Sequence, residues 1–357
     1  MRAIITAGGT GGHIYPAIAI IEKLKENKDS FLYIGTTDRM ESNIIPSMGY
    51  EYVGLEINGF RRSIKANFKN IALVYNSYKK ALKTIKEYKP DVVIGFGGYV
   101  TFPVIMAARK LKIPTMIHEQ NYIPGKTNKF LGKFCDKVFV SFKDSEKYFN
   151  KNKVIYSFNP AGERAVKIKR NDKTKLGFKR NKKLIIIVMG SLGSSAMNDK
   201  LYEFLKTFKS NDKEILFIAG KDFYKKIDKR KKVSDQVKII EYYNNLPGLM
   251  KDADLIISRA GASTISEIEA LKIASILIPS PYVANNHQYF NAMDLKKRNI
   301  AYVLEEKDVT AKSINDMIND ILDNKENLKT LKENLKKNKT INGVDIIYNE
   351  MKKTIRR

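Results

Sequence analysis

The sequence predicts an α/β protein built from two doubly wound parallel sheets. Short apolar runs rich in β-branched residues alternate with helical patterns along all 357 residues. Strands that are apolar throughout indicate parallel sheets covered by helices on both faces. The alternation is interrupted once, between Pro160 and Lys183, where an Asn-Pro pair, two glycines and a basic run are typical of a linker. We therefore expect two Rossmann-like domains, residues 1–160 and 161–357, which face each other across a ligand-binding cleft at the carboxyl ends of their strands.

The elements of the first half follow from apolar runs of strand length and from apolar residues spaced three and four apart. Its predicted strands are, in chain order, Arg2–Ala7, Phe31–Ile34, Val92–Ile94, Thr115–His118 and Val138–Val140. Its predicted helices are Ala17–Asn27, Ile64–Tyr88 and Thr101–Lys110.

The second half repeats this design. Its predicted strands are Leu184–Met189, Ile215–Ala219, Val237–Ile240, Leu255–Ser258, Ile276–Pro279 and Tyr302–Leu304, with helices between them. Three helical stretches close the chain from about Thr310, and we expect the last helix to return to the first domain.

The charge balance is strongly basic, with 65 basic and 38 acidic residues and a formal net charge of +27. Such an excess attracts polyanions, either nucleic acid or the anionic face of a membrane. A codon bias towards Lys, Asn and Ile would produce the same composition. The charge forms no single patch along the sequence and no recognised nucleic-acid-binding motif occurs, so we expect no nucleic-acid partner.

The single cysteine, Cys135, excludes an internal disulfide and a cysteine-based zinc site, and it suits a reducing compartment. The first residues read as a strand followed by glycines and not as a signal peptide. The apolar runs are much shorter than the roughly 20 residues needed to cross a bilayer. We therefore expect a cytoplasmic protein that is not integral to a membrane.

A glycine-rich segment, Gly8-Gly9-Thr10-Gly11-Gly12-His13, connects the first strand to the first helix, and Pro16 suits a first helical turn. Glycines let the backbone approach a ligand closely, and a helix N-terminus favours an anion. A tight turn without a ligand would need fewer glycines. A P-loop would end in Gly-Lys-Ser/Thr, and a dinucleotide fold would place an acid after the second strand, which ends Tyr33-Ile34-Gly35-Thr36. Nicotinamide chemistry is therefore not expected.

Two further loops of this kind lie in the second half. Gly190-Ser191-Leu192-Gly193-Ser194-Ser195 follows one strand, and Ser258-Arg259-Ala260-Gly261-Ala262-Ser263-Thr264 follows another and opens a helix. Two loops at helix N-termini in one domain suit a diphosphate. Glu267, expected in the first turn of that helix, has two interpretations. Its carboxylate accepts bonds from ribose hydroxyls, or it completes a capping box with Thr264; the pattern alone does not separate them.

The histidines, His13, His118 and His287, all follow predicted strand ends. No pair has the spacing of metal ligands, so we expect no metal. Asp252-Ala253-Asp254 resembles an acidic metal motif, but its place before a strand predicts solvated carboxylates. His13 is the candidate general base, because an imidazole titrates near working pH. A base that faces a diphosphate leaving group, with helix dipoles and amides to meet the charge, suits direct displacement at an anomeric carbon.

Seven short motifs occur in a fixed order along the chain. They are Gly8-Gly9-Thr10-Gly11-Gly12-His13, Gly97-Gly98-Tyr99, His118-Glu119-Gln120-Asn121, Gly125-Lys126-Thr127-Asn128, Ser258-Arg259-Ala260-Gly261-Ala262, Ser266-Glu267 and Gln288-Tyr289-Phe290-Asn291-Ala292. This ordered set resembles the MurG family of bacterial N-acetylglucosamine (GlcNAc) transferases, in glycosyltransferase family 28. The resemblance covers nearly the whole chain.

The resemblance implies a GT-B fold, with an acceptor-binding and membrane-associating domain at 1–160 and a UDP-GlcNAc-binding domain at 161–357. It implies inverting transfer of GlcNAc from UDP-GlcNAc to the C4 hydroxyl of MurNAc in undecaprenyl-diphosphoryl-MurNAc-pentapeptide (lipid I). The product, lipid II, serves peptidoglycan synthesis and hence cell shape and division. No cofactor or metal is implied, and the enzyme is expected to be peripheral on the cytoplasmic side of the cell membrane.

The resemblance also assigns site residues. In the first half, His13 matches the base or acceptor-diphosphate residue within the loop Thr10, Gly11 and Gly12, Asn121 matches a donor-sugar contact, and Glu119 matches an acid of the cleft. In the second half, Ser191, Gly261 and Ala262 match the donor-phosphate loops, and Glu267 matches the ribose ligand. Gln288 matches a contact with a GlcNAc hydroxyl, and Tyr243 matches the residue whose backbone binds uracil. The match at Glu267 favours the ribose interpretation.

The chain departs from the family pattern at three places. It has Met189-Gly190-Ser191 where the family has Gly-Gly-Ser, and His287-Gln288 where the family has two glutamines. The family's Asn-Pro-Val-Arg is replaced by Asn159-Pro160 followed by Ala161-Gly162-Glu163-Arg164. Arg164 is therefore the candidate for the phosphate contact of the family's arginine.

One helix face is a candidate membrane contact. Apolar residues recur there at spacings of four and three: Ile64, Phe68, Ile71, Tyr75, Tyr78, Leu82 and Ile85. We expect most of this face to be core. At its N-terminal end, apolar side chains are interleaved with cations: Phe60, Arg61, Arg62, Ile64, Lys65, Phe68 and Lys69. Apolar anchors among cations suit an anionic bilayer surface, and an ordinary amphipathic helix end is the alternative.

Two other functions remain open on the sequence. Another GT-B enzyme, such as a glycolipid synthase or a UDP-GlcNAc 2-epimerase, would share the nucleotide loops, and an epimerase would need no lipid acceptor. A basic nucleic-acid-binding protein would explain the charge but not the glycine loops.

Overall fold

The structure is a computed structural model that describes residues 1–59, 64–190, 195–227, 233–338 and 342–355, without the side chains of residues 64–69, 195 and 196. The chain divides into two units. The N-terminal unit comprises residues 1–163 and 341–357, and the C-terminal unit comprises residues 164–340.

The N-terminal unit is built on a seven-stranded parallel sheet. Its strands are β1 Arg2–Thr6, β2 Ser30–Thr36, β3 Tyr52–Leu55, β4 Val92–Gly95, β5 Thr115–Glu119, β6 Lys137–Val140 and β7 Val154–Tyr156. They lie in the order β3-β2-β1-β4-β5-β6-β7, so neighbouring connections diverge between β1 and β4. Its helices are α1 Gly11–Glu26, α2 Glu41–Ser47, α3 Ile64–Tyr88, α4 Thr101–Lys110 and α5 Lys126–Leu131.

The C-terminal unit repeats this topology with six parallel strands in the order β10-β9-β8-β11-β12-β13. The strands are β8 Lys183–Val188, β9 Lys213–Ile218, β10 Val237–Ile240, β11 Leu255–Ser258, β12 Ala274–Leu277 and β13 Tyr302–Val303. The remaining helices are α6 Pro160–Lys167, α7 Ser195–Thr207, α8 Lys221–Lys226, α9 Leu246–Met250, α10 Ala262–Leu271, α11 His287–Lys297, α12 Ala311–Leu322, α13 Lys325–Lys337 and α14 Gly343–Ile355. The predicted α/β class with two doubly wound sheets is confirmed.

The β-sheet of the N-terminal unit is covered on both faces, as its apolar strands require. Alternate residues of β1 enter different cores: Ala3 and Ile5 pack with α1, while Ile4 packs with Val104 and Ile105 of α4. This burial explains why the central strands are apolar without alternation.

Several predicted boundaries shift in the structure. The first helix begins at Gly11 and not at Ala17, because the Thr10 carbonyl already accepts the N–H groups of His13 and Ile14. Pro16 consequently lies in the second turn, and its predicted place in the first turn is wrong. The edge strands β3 and β7 were not predicted, since both are short and mostly half-buried and so carry a weak apolar signal.

The segment from Pro160 to Lys183, predicted as a linker, contains the division between the units, but it begins with a helix. The Asn159 side chain accepts the Ala161 N–H at 3.0 Å, and Pro160 starts α6, a position where its missing N–H removes no helical bond. The division between the units falls inside α6, between Glu163 and Arg164. The Asn-Pro pair therefore marks the start of a helix within this segment.

The outward face of α3 differs from the prediction. Ile71 and Tyr75, expected in the core, are 56% and 55% exposed. The buried polar residues Asn70 and Ser77 face inward instead, because they donate hydrogen bonds to the carbonyl oxygens of Gly59 and Glu56, both at 2.9 Å. Satisfying these carbonyls turns the apolar side chains outward.

The last helix, α14, belongs to the N-terminal unit and packs on α1. Ile347 is fully buried in the same core as Ile20 and Ile21. The Tyr348 hydroxyl donates to Asp29 at 2.6 Å, and Lys23 pairs with Asp345 at 2.6 Å. The C-terminal helix thus completes one face of the N-terminal sheet.

We expect Ile347→Ala to lower the free energy of unfolding by about 2–5 kcal/mol, because it leaves a cavity between α14 and α1. Urea unfolding followed by circular dichroism measures this. Asn349→Ala, at an exposed position of the same helix, serves as the control and should change stability little. Equal effects of the two substitutions would contradict the docking of α14.

Candidate active site

The loops after β1 and β4 meet at the point where the connections of the N-terminal sheet diverge. The Gly8 N–H donates to the Gly97 carbonyl oxygen at 3.2 Å. Gly97 and Gly98 have φ of +102° and +86°, and a Cβ on Gly98 would lie 2.4 Å from the Gly8 oxygen. Larger residues cannot replace glycine here without moving the loops. This divergence point is where ligands of doubly wound sheets bind.

His13 stands in the first turn of α1, beside these loops, and is half-buried. Its Nδ1 lies 2.9 Å from the Gly8 carbonyl oxygen. Because a carbonyl oxygen only accepts, Nδ1 carries the hydrogen, and the lone pair of the neutral ring is on Nε2. A Cβ on Gly97 would lie 3.0 Å from that Nε2. The loops therefore fix both the tautomer and the position of the ring.

The buried carboxylate of Glu41 holds the first glycine loop by a hydrogen bond. Glu41 has no exposed surface, and it accepts hydrogen bonds from Gly9 N (3.0 Å), Thr36 N (3.0 Å) and Thr36 Oγ1 (2.7 Å). Burial, followed by the charge of Glu41, raises the pKa of the neighbouring Tyr33. The sequence analysis missed Glu41, which comes from α2. The glycine at position 35 was the sequence feature that could have indicated Glu41, because a Cβ added there would lie 2.7 Å from the Glu41 side chain.

Glu119, at the end of β5, is also a buried carboxylate, 1% exposed. One oxygen accepts from the backbone and side-chain nitrogens of Asn121 (2.9 and 3.2 Å), and the other from Gly125 N (3.1 Å) and Asn128 Nδ2 (2.9 Å). The carboxylate is thus engaged within its own loop, which argues for a supporting role.

His118 is a buried structural histidine. Burial lowers its pKa to about 4, so the ring is neutral at physiological pH. Its Nε2 lies 3.1 Å from the Phe158 carbonyl oxygen and therefore donates, while Nδ1 accepts from Gln120 Nε2 at 3.1 Å. The Nε2 bond thus holds β5 to the segment before α6, and the Nδ1 bond holds Gln120 in the loop after β5.

In the C-terminal unit, β8 and β11 are neighbours, so the two predicted phosphate loops follow adjacent strands. Gly190 is described, with φ of +88°, whereas Ser191 to Ser194 lie outside the described residues. Gly261 precedes α10 in an extended conformation, and Ala262 is the first helical residue. For a Cβ on Gly261, the nearest described neighbour is Thr264 Oγ1 at 4.0 Å, which leaves the backbone at this helix N-terminus accessible.

The structure decides between the two interpretations of Glu267. Helix α10 begins at Ala262, the residue before it is Gly261, and no side-chain cap bond is formed. Thr264 therefore lies within the helix, the capping-box interpretation is wrong, and Glu267 is in the second turn and not the first. Burial raises the pKa of Glu267 to about 8, and the positive charge of Arg164 opposes this shift. Arg164 and Glu267 are thus close to each other.

Gln288, Tyr243 and His287 have defined partners in the same unit. Gln288 Oε1 accepts from Ser280 N at 2.9 Å, which fixes the orientation of its amide. The hydroxyl of Tyr243 accepts from Asn171 Nδ2 at 3.1 Å. His287 Nδ1 lies 2.8 Å from the Ala284 carbonyl oxygen.

The predicted solvation of Asp252 is wrong. Its side chain is 2% exposed, pairs with Arg170 and accepts the Lys173 N–H at 2.8 Å, because the segment after α6 folds back over it. Within the described ranges, no group of three or more His, Cys, Asp and Glu residues is arranged to hold a metal ion.

The predicted site residues therefore fall into two sets. Thr10, Gly11, Gly12 and His13 share the N-terminus of α1, and Asn121 follows β5, the neighbour of β4. Gly261, Ala262 and Glu267 share α10. Among the membrane-contact candidates, Phe60, Arg61 and Arg62 lie outside the described residues, as do the side chains of Ile64, Lys65 and Phe68.

We expect Glu267→Gln to stabilise the free protein at high pH. The carboxyl pKa is raised from 4.5 to about 8 on folding, so the unfolded chain ionises first and the wild type loses stability as pH rises through this window. Thermal unfolding at pH 4.5 and at about pH 9 measures the effect. The gain in Tm should appear only at the higher pH. Exposed Glu333→Gln is the control, and a gain that does not change with pH would contradict the raised pKa of Glu267.

Comparison with known proteins identifies the family. The glycosyltransferase family 28 N-terminal domain matches residues 3–140, and the family 28 C-terminal domain matches residues 184–345. A UDP-N-acetylglucosamine–N-acetylmuramyl-(pentapeptide) pyrophosphoryl-undecaprenol N-acetylglucosamine transferase of Thermoanaerobacter sp. (strain X514) is 42% identical over 99% of both chains. The transferase of the same name from Bacillus licheniformis is 38% identical over 99% of this chain and 98% of its own.

Solved structures agree with this assignment. The crystal structure of Acinetobacter baumannii MurG aligns with a TM-score of 0.76 and 25% identity over 99% of both chains. The UDP-GlcNAc 2-epimerase of Neisseria meningitidis aligns with a TM-score of 0.68 and 16% identity, over 99% of this chain and 100% of its own, which shows a shared fold. The matched domains, the full-length similarity and the two GT-B sheets together establish that the chain belongs to glycosyltransferase family 28.

Proposed function

We propose that this chain transfers GlcNAc from UDP-GlcNAc to the C4 hydroxyl of MurNAc in undecaprenyl-diphosphoryl-MurNAc-pentapeptide (lipid I), with inversion, to give lipid II. The chain is an N-acetylglucosamine transferase of family 28, as its relatives at about 40% identity are. The observation that carries the chemistry is the tautomer of His13, whose lone pair is on Nε2 beside a glycine-rich helix N-terminus.

In this proposal His13 acts as the general base. Its Nε2 accepts the proton of the acceptor hydroxyl while that oxygen bonds to the anomeric carbon and the bond from this carbon to the UDP oxygen breaks. The Nδ1–H bond to the Gly8 carbonyl (2.9 Å) stabilises the imidazolium that forms. Thr10, Gly11 and Gly12, at the N-terminus of α1, favour the acceptor diphosphate.

The C-terminal unit holds the donor in this proposal. Backbone amides near Ser191, Gly261 and Ala262, with the positive ends of α7 and α10, meet the developing charge of UDP. Glu267 accepts the ribose hydroxyls, and Arg164, whose charge already acts on Glu267, meets the phosphates. Gln288 directs its amide nitrogen towards a sugar hydroxyl, since its oxygen is bound to Ser280 N, and the backbone of Tyr243 binds uracil.

The decisive experiment incubates the protein with UDP-GlcNAc and a lipid I analogue and follows UDP release and the glycosylated lipid. Release should depend on the acceptor. Conversion of UDP-GlcNAc to its 2-epimer without acceptor would contradict the proposal and indicate an epimerase.

We expect His13→Ala to reduce kcat by about 10²–10⁴-fold, the usual contribution of a positioned base, with little change in the Kd for UDP. Gly97→Ala should also reduce kcat, because its methyl would lie within 3.0 Å of the His13 ring. Gly49→Ala is the matched control, since Gly49 also has positive φ (+75°) but no described atom lies within 4 Å of the added Cβ. Unchanged turnover in His13→Ala would remove His13 as the base.

We further propose that the N-terminal unit binds an anionic membrane surface through Phe60, Arg61, Arg62, Ile64, Lys65 and Phe68, with the exposed residues Ile71 and Tyr75. Lys79 Nζ lies 4.6 Å from the centre of the Tyr75 ring, and a cation beside an exposed apolar group favours anionic interfaces. The part of the chain that the structure describes contains no helix long and apolar enough to cross a membrane. The enzyme would act at the cytoplasmic side, where the nucleotide-activated sugar is available.

The double variant Ile71→Ser/Tyr75→Ser should lower partitioning to phosphatidylglycerol vesicles by about tenfold or more, because two large apolar groups no longer enter the interface. Cosedimentation measures this. Tyr282→Ser removes an aromatic residue that is 82% exposed in the C-terminal unit and should leave partitioning unchanged. Equal partitioning of the wild type, the double variant and Tyr282→Ser would contradict the proposed membrane contact.

A further inference from the structure

The carboxylate of Glu119 holds a loop that carries one proposed sugar contact. The loop from Gln120 to Gly125 connects β5 to α5, and its proposed ligand residue is Asn121. Glu119 lies at the end of β5 and is 1% exposed. Its Oε1 accepts both nitrogens of Asn121, and its Oε2 accepts Gly125 N and Asn128 Nδ2, all within 2.9–3.2 Å. A buried carboxylate that accepts several N–H bonds stays in one place, since each lost bond leaves a buried polar group unpaired.

This geometry selects one orientation of the Asn121 amide. The two ends of a carboxamide have the same shape but opposite hydrogen-bonding character. Glu119 attracts the Nδ2 end at 3.2 Å and would repel the Oδ1 end, so the carbonyl oxygen is turned away from the carboxylate. A hydrogen bond to a charged group is stronger than one between neutral groups, so this bond favours one orientation of the amide.

The same carboxylate reaches the surroundings of His13. Asn128 Nδ2 donates to Glu119 and to the His118 carbonyl oxygen (3.1 Å). It lies 3.6 Å from the position of a Cβ on Gly97, a position that is 3.0 Å from His13 Nε2. Glu119 therefore holds the Asn121 loop and also Asn128, whose amide nitrogen lies near Gly97.

We propose that Glu119 is a positioning residue that orients the Asn121 carbonyl oxygen as an acceptor for a hydroxyl of the donor sugar. Glu119 acts through Asn121 and contacts no substrate itself. The inference rests on the proposed function, since it assumes that Asn121 binds the sugar of UDP-GlcNAc. It predicts that the sugar, and not the nucleotide, loses affinity when the carboxylate is replaced.

The test compares the KM for UDP-GlcNAc with the inhibition constant of UDP, which lacks the sugar. Glu119→Gln places an amide nitrogen against N–H donors and should raise KM by about tenfold, the loss expected for one hydrogen bond to a charged group. The Ki of UDP should stay within about twofold of the wild-type value. A variant that raised KM and Ki equally would overturn the proposal, because the effect would then be general.

A double-mutant cycle separates positioning from stability. If Glu119 acts through Asn121, Glu119→Gln/Asn121→Ala should raise KM no more than about twofold beyond Asn121→Ala alone. Fully multiplicative effects would overturn the proposal. Asn121→Asp keeps the bonds of Glu119 to Gly125 and Asn128 but places two carboxylates side by side. It should raise KM without raising the Ki of UDP, and an unchanged KM would also overturn the proposal.

The matched control is Asp136→Asn. Asp136 directly precedes β6, and its carboxylate binds the end of β5 opposite to Glu119. Asp136 accepts the backbone N–H and the hydroxyl of Thr115 at 2.8 and 3.2 Å. This variant should lower stability while the ratio of KM to Ki stays constant, and a similar change in that ratio would overturn the specific role of Glu119. Absence of acceptor-dependent UDP release in the wild type would instead refute the proposed function, so the two failures are distinguishable.

Discussion

The close approach of two backbone turns, at Gly8 and at Gly97-Gly98, is the constraint on which the candidate site depends. The Gly8 N–H binds the Gly97 carbonyl, and the Gly8 carbonyl binds Nδ1 of His13. One peptide segment therefore joins β1 to β4 and sets the tautomer of the proposed base. Positive φ at Gly97 and Gly98 and the lack of room for a Cβ make glycine a requirement of this arrangement.

Three carboxyl groups, those of Glu41, Glu119 and Glu267, are held in different ways. Glu41 and Glu119 accept hydrogen bonds from their own loops and are engaged before any ligand arrives. Glu267 is partly exposed, but desolvation raises its pKa to about 8, and the charge of Arg164 opposes this shift. A carboxyl group in that condition gains from hydroxyl donors that favour its ionised form. Glu41 and Glu119 thus maintain loop geometry, whereas Glu267 is the ribose ligand of the proposed function.

The exposed face of α3 connects the packing of this helix with the proposed membrane contact. Asn70 and Ser77 turn inward to satisfy backbone carbonyls, and Ile71 and Tyr75 consequently face outward. Burying polar groups on this helix exposes apolar ones on its other side. This exposed apolar face and the basic residues of the chain are the physical basis for the proposed contact with the membrane that carries the lipid-linked acceptor.

The sequence by itself determined the two sheets, most of their strands and the glycine loops, because buried parallel strands are apolar throughout and tight loops at helix N-termini require glycine. It also placed His13 and Gly261 at junctions between a strand and a helix, and its ordered motifs indicated the family. Tertiary structure alone decided the start of α10, which removed the capping box, the burial of Asp252, the outward turn of Ile71 and the support from Glu41. These depend on contacts between residues distant in sequence, such as Glu41 with Gly9, and local patterns carry no information about which distant groups will be brought together.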